Sequence, residues 1–476
     1  MRLGGRGNRE EWCAALLTAL LLVIFFLRAP LTGSLWLDET ISAWLVNGSA
    51  ADAIRRVTVY QGQSPFYYLL LWGLSSPDSS EAALRCISVV CGLLSLVLVF
   101  RLAERLSGRR TTGYVAIGLV LCASTFQDAI LSARPYALGF LCATASLFFL
   151  ERLTKSFTRR DAFLFAVSCV ATWYSHYLFA VIFIGHIWTI LRSQGLFRQL
   201  VPWSLIGLVS VVPTVPQVAH LFGRREGLMF APSPGLLSFV NGAIPIPVVV
   251  IALVGIALGM VWGARSSNDS RLRDAFAFLL PYIVVPVAVF AVWSLSGSHS
   301  MWVTRYWVWQ VGVWAVLLAC CVSEMCGAPG RTITLLAVAT FAILRVSTQI
   351  RHLEEWREAA QRVHASRGSI ALYSGLIEVE SGSGAHETEF EEYIRAPLTT
   401  YGVTAPVSVL SMSHLSEDVK RLPANTEYLV IFNRRVGDGT SKHEVEQAIS
   451  DAGVSVEQLP GSSLVLVYKV TPSKTD

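Results

Sequence analysis

Charge is scarce in this chain. Asp, Glu, Lys and Arg make up 15% of the 476 residues, where an average soluble chain carries about a quarter. That excludes the ordinary soluble class and gives no basic face for nucleic acid. Metal-type cysteine spacing is also missing. The nine cysteines (Cys13, Cys86, Cys91, Cys122, Cys142, Cys169, Cys320, Cys321 and Cys326) all lie in or beside apolar runs, which reads as small hydrophobes in helices. None falls in residues 348–476, so that region has no disulfide framework. There is no internal repeat and no low-complexity linker.

What is abundant is apolar length. Hydrophobic residues make up 53% of the chain and its mean hydropathy is +0.52. Runs such as "CAALLTALLLVIFFL" and "VVVIALVGIALGMVW" approach the length that crosses a bilayer. The N-terminus resembles a signal peptide, with Arg2, Arg6 and Arg9 before an apolar core. However, "LRAPLTG" lacks a small-x-small cleavage site, so the segment reads as a retained first helix.

Basic clusters set the expected threading, because Lys and Arg accumulate on the cytoplasmic side. The clusters are Arg101–Arg105–Arg109–Arg110 and Arg152–Lys155–Arg159–Arg160. Spans are expected at 12–28, 83–100, 112–127, 136–150, 162–174, 177–191, 200–219, 244–263, 275–295, 305–322 and 332–347. That gives about eleven helices, with the N-terminus cytoplasmic and the C-terminus outside. The first outer loop, 29–82, contains "SPFYYLLLWGLSS" at 64–76. It is too short to span comfortably, so it is expected to lie in the outer interface with Tyr67, Tyr68 and Trp72 at headgroup level. Residues 1–347 carry 26 basic against 15 acidic residues, and 348–476 carry 12 against 18. This shift marks a boundary near 348. The tail reads as a small extracytoplasmic α/β domain. Its expected elements are a helix at "HLEEWREAAQRVHA", strands at "SIALYSG", "PVSVLSM", "EYLVIFN" and "SLVLVYKV", and a helix at "SKHEVEQAISDAG" ended by glycine.

The few charges expected on the outer face carry the functional signal. They include Asp38, Glu39, Asp78, Arg85, Asp128, Arg134, Arg224, Arg225, Glu226 and Arg305, with His176 at the same level. Arginine binds a lipid phosphate, and a carboxylate can take the proton of an attacking hydroxyl. Plainer readings stand beside these. Asp38 is also a natural N-cap for a helix over 39–46, and Glu39 a solvated first-turn acid. Arg134, Arg305 and Arg85 could snorkel to lipid phosphate. His176 could make an interhelical hydrogen bond.

Five segments in order carry a resemblance: "WLDE", "QGQSPFYYLLLWGL", "EAALRCISVVCGLLSLVLVFRLAERLSGRR", "ARPYALGFLCATASLFFLERL" and "WYSHYLFA". Together they resemble the GT-C superfamily of membrane glycosyltransferases, nearest the protein-O-mannosyltransferase and aminoarabinose-transferase branch of bacteria. The likeness is firm over about 12–190. It is looser over 200–347, where "VTRYWVWQVGVWAVLLA" resembles the family's late RY-containing helix, and weak over the tail. The resemblance implies a GT-C fold in a bacterial-type plasma membrane. It implies a polyprenyl-phosphate-linked sugar donor, a lipid, glycan or protein acceptor outside, and inversion at the anomeric centre. It also implies Asp38 as base, with Glu39 and Asp128 as further catalytic acids. Arg134, Arg305 and Arg85 would hold the donor phosphate, and Trp36, Trp44, Tyr67 and His176 would line the pocket. Relatives often have an acid two residues before the arginine of "ARPY", where this chain has Ser132; its nearest acid is Asp128, six residues before Arg134, so either Asp128 takes that second acidic role or the role is missing. No cofactor is demanded, although Asp38, Glu39 and Asp128 could offer oxygens to Mg²⁺ or Mn²⁺. Two other functions compete: a flippase or transporter of lipid-linked sugar, and an envelope-assembly scaffold. A transporter would place its ionisable groups at mid-membrane depth. Here they gather at one face.

Overall fold

The computed structural model describes residues 4–346 and 354–471, apart from 77–78, 194, 224–239, 241, 262–268, 297–302, 376–387, 434, 437–438 and 462–463. Asp78, Arg224, Arg225 and Glu226 lie outside the described residues. The chain is mostly helical, with a small C-terminal sheet.

Among the described residues, six helices are long and apolar enough to cross a membrane: Arg9–Arg28, Glu81–Ser107, Tyr136–Lys155, Leu196–Ala219, Ser270–Val292 and Thr304–Leu344. A seventh candidate is the bent pair Arg110–Leu121 and Ser124–Ile130, and Tyr177–Arg192 and Ile246–Val261 are shorter apolar helices. The first elements are α1 (Gly4–Arg28), α2 (Leu37–Val46), α3 (Ala50–Arg56), α4 (Phe66–Leu74), α5 (Glu81–Ser107), α6 (Arg110–Leu121), α7 (Ser124–Ile130), α8 (Tyr136–Lys155) and α9 (Arg159–Ser175).

Several expectations are corrected. The continuous helix expected over 112–127 stops at Leu121 and turns by 81° into α7. The break is stabilised locally, because the Gln127 side-chain amide donates to the freed Leu121 carbonyl at 2.7 Å. The helices expected at 305–322 and 332–347 are two arms joined at a kink. Gly327 has φ 59° there, with Pro329 just beyond. A left-handed backbone at that point favours glycine. The helix expected over 39–46 begins earlier, at Leu37, and Trp36 rather than Asp38 occupies the N-cap. Tyr67 and Tyr68, expected at headgroup level, are wholly buried. They face inward from α4, where the Tyr67 hydroxyl meets Ser88 Oγ at 3.1 Å and the Tyr68 hydroxyl donates to Gln63 at 3.2 Å. Trp72 is more open, and its indole N–H donates to the Gly48 carbonyl.

The bundle is closed by small residues. On the helix Ile246–Val261, Gly255 and Gly259 lie against Cys326, Gly330 and Thr334 of the last long helix. A methyl at either glycine would collide, so close backbone approach holds this pair together, as is usual between membrane helices.

In the tail, a five-stranded sheet runs β2-β1-β3-β7-β6. Here β1 is Ser369–Tyr373, β2 Val407–Val409, β3 Thr426–Phe432, β6 Ser455–Gln458 and β7 Val465–Thr471, and β4 (Arg435–Val436) pairs with β5 (Gly439–Thr440) as a separate ribbon. β1 pairs in parallel with β2 and β3, while β7 is antiparallel to β3 and β6. Helices Trp356–Val363 and Ser441–Asp451 fall where the pattern predicts. Helix Thr388–Thr399 and strand β6 were not anticipated. The tail does not sit apart. Leu35, Leu37, Ile41 and Trp44 of the first loop share one apolar core with Trp356, Ala360, Ile370, Tyr393 and Val467 of the tail. That shared core fixes the start of α2, where the site lies.

Candidate active site

The consecutive acids Asp38 and Glu39 sit in the first turn of α2 and meet opposite fates. Glu39 turns inward. One oxygen accepts the Trp36 backbone N–H at 3.2 Å, so the Glu39 side chain reaches back over the helix start and caps it. The other accepts the Ala133 N–H at 2.7 Å and the Arg85 Nε at 2.8 Å. Both side chains of the Glu39–Arg85 pair are fully buried. The rest of the Arg85 guanidinium donates to the carbonyls of Pro30, Leu31, Gly33 and Ser34 at 2.9–3.1 Å. Every N–H direction of Arg85 is thereby used. Arg85 and Glu39, expected to act on substrate, are instead placed as a knot that joins α2, α5, the 30–34 turn and the 132–134 turn.

Capping by Glu39 leaves the Asp38 side chain available. It is 23% exposed, and its Oδ2 lies 3.4 Å from Arg305 Nη1 and 3.8 Å from Arg134 Nη2. Arg134 comes from the turn before α8 and is almost wholly buried. Its Nη1 also approaches Gln61 Oε1 at 3.3 Å. Arg305 comes from the short turn Thr304–Trp307 at the head of the last long helix. Among the described residues, the Nε of each arginine lacks a hydrogen-bond partner. Charge-assisted contacts are usually nearer 2.7–2.9 Å. This triad is loose, carries one surplus positive charge and has unused donors, which suits it to an incoming anion.

Aromatic rings wall this spot. The Arg305 guanidinium lies 5.8–6.0 Å from the ring centres of Trp36, Tyr136 and Tyr306. His176 packs against Tyr136, Phe179 and Tyr306 at 4.9–5.5 Å. Neither of its nitrogens has a partner among the described residues. Burial, and then the positive Arg134 and Arg305, push the His176 pKa down to about 3, so its ring is neutral at physiological pH.

The remaining expected residues fall elsewhere. Trp44 stands at the far end of α2, edge-on to Tyr60 and Tyr393 and beneath Arg56, so it joins loop to tail and does not wall Asp38. Tyr67 is sealed against Ser88, while its neighbour Tyr68 is the one within electrostatic range of Arg134 and Asp38. Asp128 is on α7 with an exposed side chain, and its carbonyl accepts from Ser132 Oγ at 2.6 Å. Among the described residues, no three His, Cys, Asp or Glu side chains stand together as a metal site. Asp38, Glu39 and Asp128 therefore do not assemble as a ligand set, and Glu39's oxygens are taken by N–H donors. Sequence reasoning missed Tyr136, Tyr306 and Gln61. The two tyrosines follow the site arginines closely, in "RPY" and "RY", and Gln61 lies in the "QGQSP" segment.

Among the described residues, six helices, or seven with the bent pair, are long and apolar enough to cross a membrane, and one carboxylate and two arginines stand together beside the start of α2. Residues 63–220, about a third of the chain, match the family described as dolichyl-phosphate-mannose-protein mannosyltransferase. The matched stretch includes Arg134 and His176 but not Asp38 or Arg305. Two solved structures align along nearly the whole chain. One is ArnT from Cupriavidus metallidurans in the apo state, with 12% identity, a TM-score of 0.45, and 96% of this chain and 97% of that one covered. The other is the same protein bound to undecaprenyl phosphate, with 13% identity, a TM-score of 0.43, and 96% and 98% covered. At that similarity neither carries site residues across. No curated protein matches the chain. The matched stretch overlaps three of the five ordered motifs in full, so over residues 63–220 the chain is similar to that mannosyltransferase family.

Proposed function

We propose that this protein transfers a sugar from a polyprenyl-phosphate donor to a hydroxyl-bearing acceptor on the extracytoplasmic face of a bacterial-type plasma membrane. Asp38 is the general base. Arg134 and Arg305 hold the phosphate, a leaving group that needs no proton at neutral pH because its second pKa is about 6. Its developing charge needs cations instead. Attack from the side opposite the phosphate inverts the anomeric centre. As the phosphate draws the two arginines towards itself, Asp38 is released to accept the hydroxyl proton. No metal is required in this scheme.

The single observation that carries the reading is the Asp38–Arg134–Arg305 triad, loose and partly open beside a fully committed Glu39–Arg85 pair. The orientation rests on two sets of contacts. Arg331 pairs with Glu10 and Arg110 with Glu11, so the N-terminus, the α5–α6 turn and the kink at Gly327 share a basic face. The tail packs on the 30–46 segment at the other end of α5. Eleven crossings follow if the two arms of the last long helix, the bent pair, α9 and the two shorter apolar helices each count as one. A transporter would carry ionisable groups deep in the bundle, whereas this cluster sits at the rim beside the tail.

Asp38→Asn keeps size and polarity but removes basicity. The expected result is a loss of transfer of order 10²-fold or more, the usual range for a general base, with the protein still folded. The assay is mass spectrometry of envelope glycans from cells carrying the variant as their only copy. Undiminished transfer by Asp38→Asn would end the assignment of Asp38 as base.

A further inference from the structure

The turn that starts α2 is held from outside as well as from within. The backbone N–H of Leu37, one residue before Asp38, donates to Glu354 Oε2 at 2.7 Å. Glu354 is supplied by the chain just ahead of the tail helix Trp356–Val363, and the same oxygen accepts the Trp356 indole N–H at 3.2 Å. Neighbouring tail residues grip the same stretch. The Tyr401 hydroxyl accepts the Leu35 N–H at 2.7 Å, and the Arg357 N–H donates to Ser34 Oγ at 3.1 Å. The Arg357 side chain donates to the Thr32 carbonyl and pairs with Glu81, and Thr400 Oγ1 donates to the Thr40 carbonyl. Of these tail groups, Glu354 is the carboxylate that reaches the α2 backbone.

We propose that Glu354 is a positioning residue for Asp38: from the tail, its carboxylate anchors the first N–H of α2 and so fixes where Asp38 stands between Arg134 and Arg305. The inference rests on the catalytic reading of Asp38 given above. A helix leaves its first N–H groups unsatisfied, and an ionised acceptor there is stabilising. Glu39 already serves the Trp36 N–H, and Glu354 takes the next. The first turn of α2 is thus pinned by two carboxylates, one from its own chain segment and one from the tail. An aspartate that must face two arginines at 3.4 and 3.8 Å depends on that turn being fixed, since small displacements of a reacting group cost rate steeply.

Among the described residues, the groups facing Glu354 are the Leu37 N–H, the Trp356 indole, and the carboxylates of Asp38 and Glu39. Glu39 is neutralised by Arg85 and Asp38 faces Arg134 and Arg305. Burial first, and then the nearby negative charges, raise the Glu354 pKa to about 7, while its two hydrogen bonds pull the other way. Above that pH the anchor is charge-assisted. Below it Glu354 is neutral and the bond weakens. The site would therefore loosen as the outside turns acidic.

The test uses the full-length protein in detergent and in native membranes. Hydrogen exchange of the peptide covering residues 35–46, corrected for intrinsic rate, is measured at pH 6 and pH 8. In the wild type, protection is expected to fall on acidification. In Glu354→Gln, which keeps an acceptor oxygen but cannot titrate, that pH dependence is expected to vanish. Glu354→Ala is expected to lose protection at both pH values and to lower transfer roughly ten- to a hundredfold, the range for a lost hydrogen bond to a charged group. Glu354→Asp should recover part of both. Wild-type protection and transfer in Glu354→Ala would overturn the proposal, as would an unchanged pH dependence in Glu354→Gln. Should Asp38→Asn transfer normally, the catalytic reading fails. The exchange measurement still decides separately whether Glu354 anchors α2.

Discussion

Two neighbouring knots of charge at the rim of the bundle are built from the same residue types and do different work. Around Glu39 everything is closed. Arg85 and Glu39 are both fully buried, and carbonyls and N–H groups take up what the pair leaves over. Around Asp38 everything is held loosely. The contacts exceed 3.3 Å, the carboxylate is partly open, and each arginine keeps an unused donor. A saturated pair has nothing to offer a ligand, because any new contact must break an old one in a poorly solvated place. A loose triad can trade partners at little cost. The difference is set by one step along a helix, which turns the next side chain by roughly 100°.

The contrast is broken most forcefully at the closed knot. Glu39→Gln leaves the Arg85 charge buried without its counter-ion, and stranding one member of such a pair costs about 3–5 kcal/mol. The variant is expected to unfold well below the wild type in a thermal melt in detergent. Adding Arg85→Met should cost less than the two changes summed, because each removes what the other needs. The four carbonyls Arg85 serves keep it from being neutral. A wild-type melting temperature in Glu39→Gln would show that the knot is not structural. At the open triad the expected change is in binding, not stability. Arg134→Lys and Arg305→Lys keep the charge but lose the planar fork. Each should weaken binding of polyprenyl phosphate in micelles by about tenfold, roughly one strong hydrogen bond. Unchanged affinity in both would leave these residues as lipid-facing anchors.

The two knots also show what a sequence can carry. Asp38, Arg134 and Arg305 were legible because charge is rare in apolar surroundings, and each sits in a motif. What could not be read was which of two adjacent acids would be spent. The resemblance favoured Asp38 as base, but that Glu39 is spent on structure shows only once Arg85, 46 residues away along the chain, is known to face it. The bend after Leu121 was invisible for a related reason. Residues 112–127 are apolar on both sides of it, and only the side chain of Gln127 marks where a carbonyl needs a partner. Glu354 was hidden most fully. In "HLEEWREAAQRVHA" its charge reads as the wet side of an amphipathic helix, and only the fold reveals that it lies ahead of that helix and reaches α2. Strands β1, β2, β3 and β7 of the tail, by contrast, were plain because short β-branched runs bounded by polar residues have few other uses, whereas β6 (Ser455–Gln458), largely polar and exposed, gave no such run.

The smallest expected effect separates the two knots by pH. His176 stands among Tyr136, Phe179 and Tyr306 on the open side, its pKa pushed to about 3 by burial and then by Arg134 and Arg305. In the unfolded chain its pKa is ordinary, about 6.5. Between those values the unfolded state binds a proton that the folded state refuses, so acidification favours unfolding. This cost is absent above pH 7 and grows as the pH falls towards 3. From pH 7 to pH 5.5 it amounts to about 1 kcal/mol. His176→Phe keeps an aromatic ring among the three neighbours and cannot take a proton. The variant should therefore lose less melting temperature than the wild type over that interval, by a few degrees at most, whatever its stability at pH 7. Equal slopes for the two proteins would mean that the His176 ring takes up protons in the folded state as readily as in the unfolded one, and that the arginines beside it are already screened by something other than Asp38.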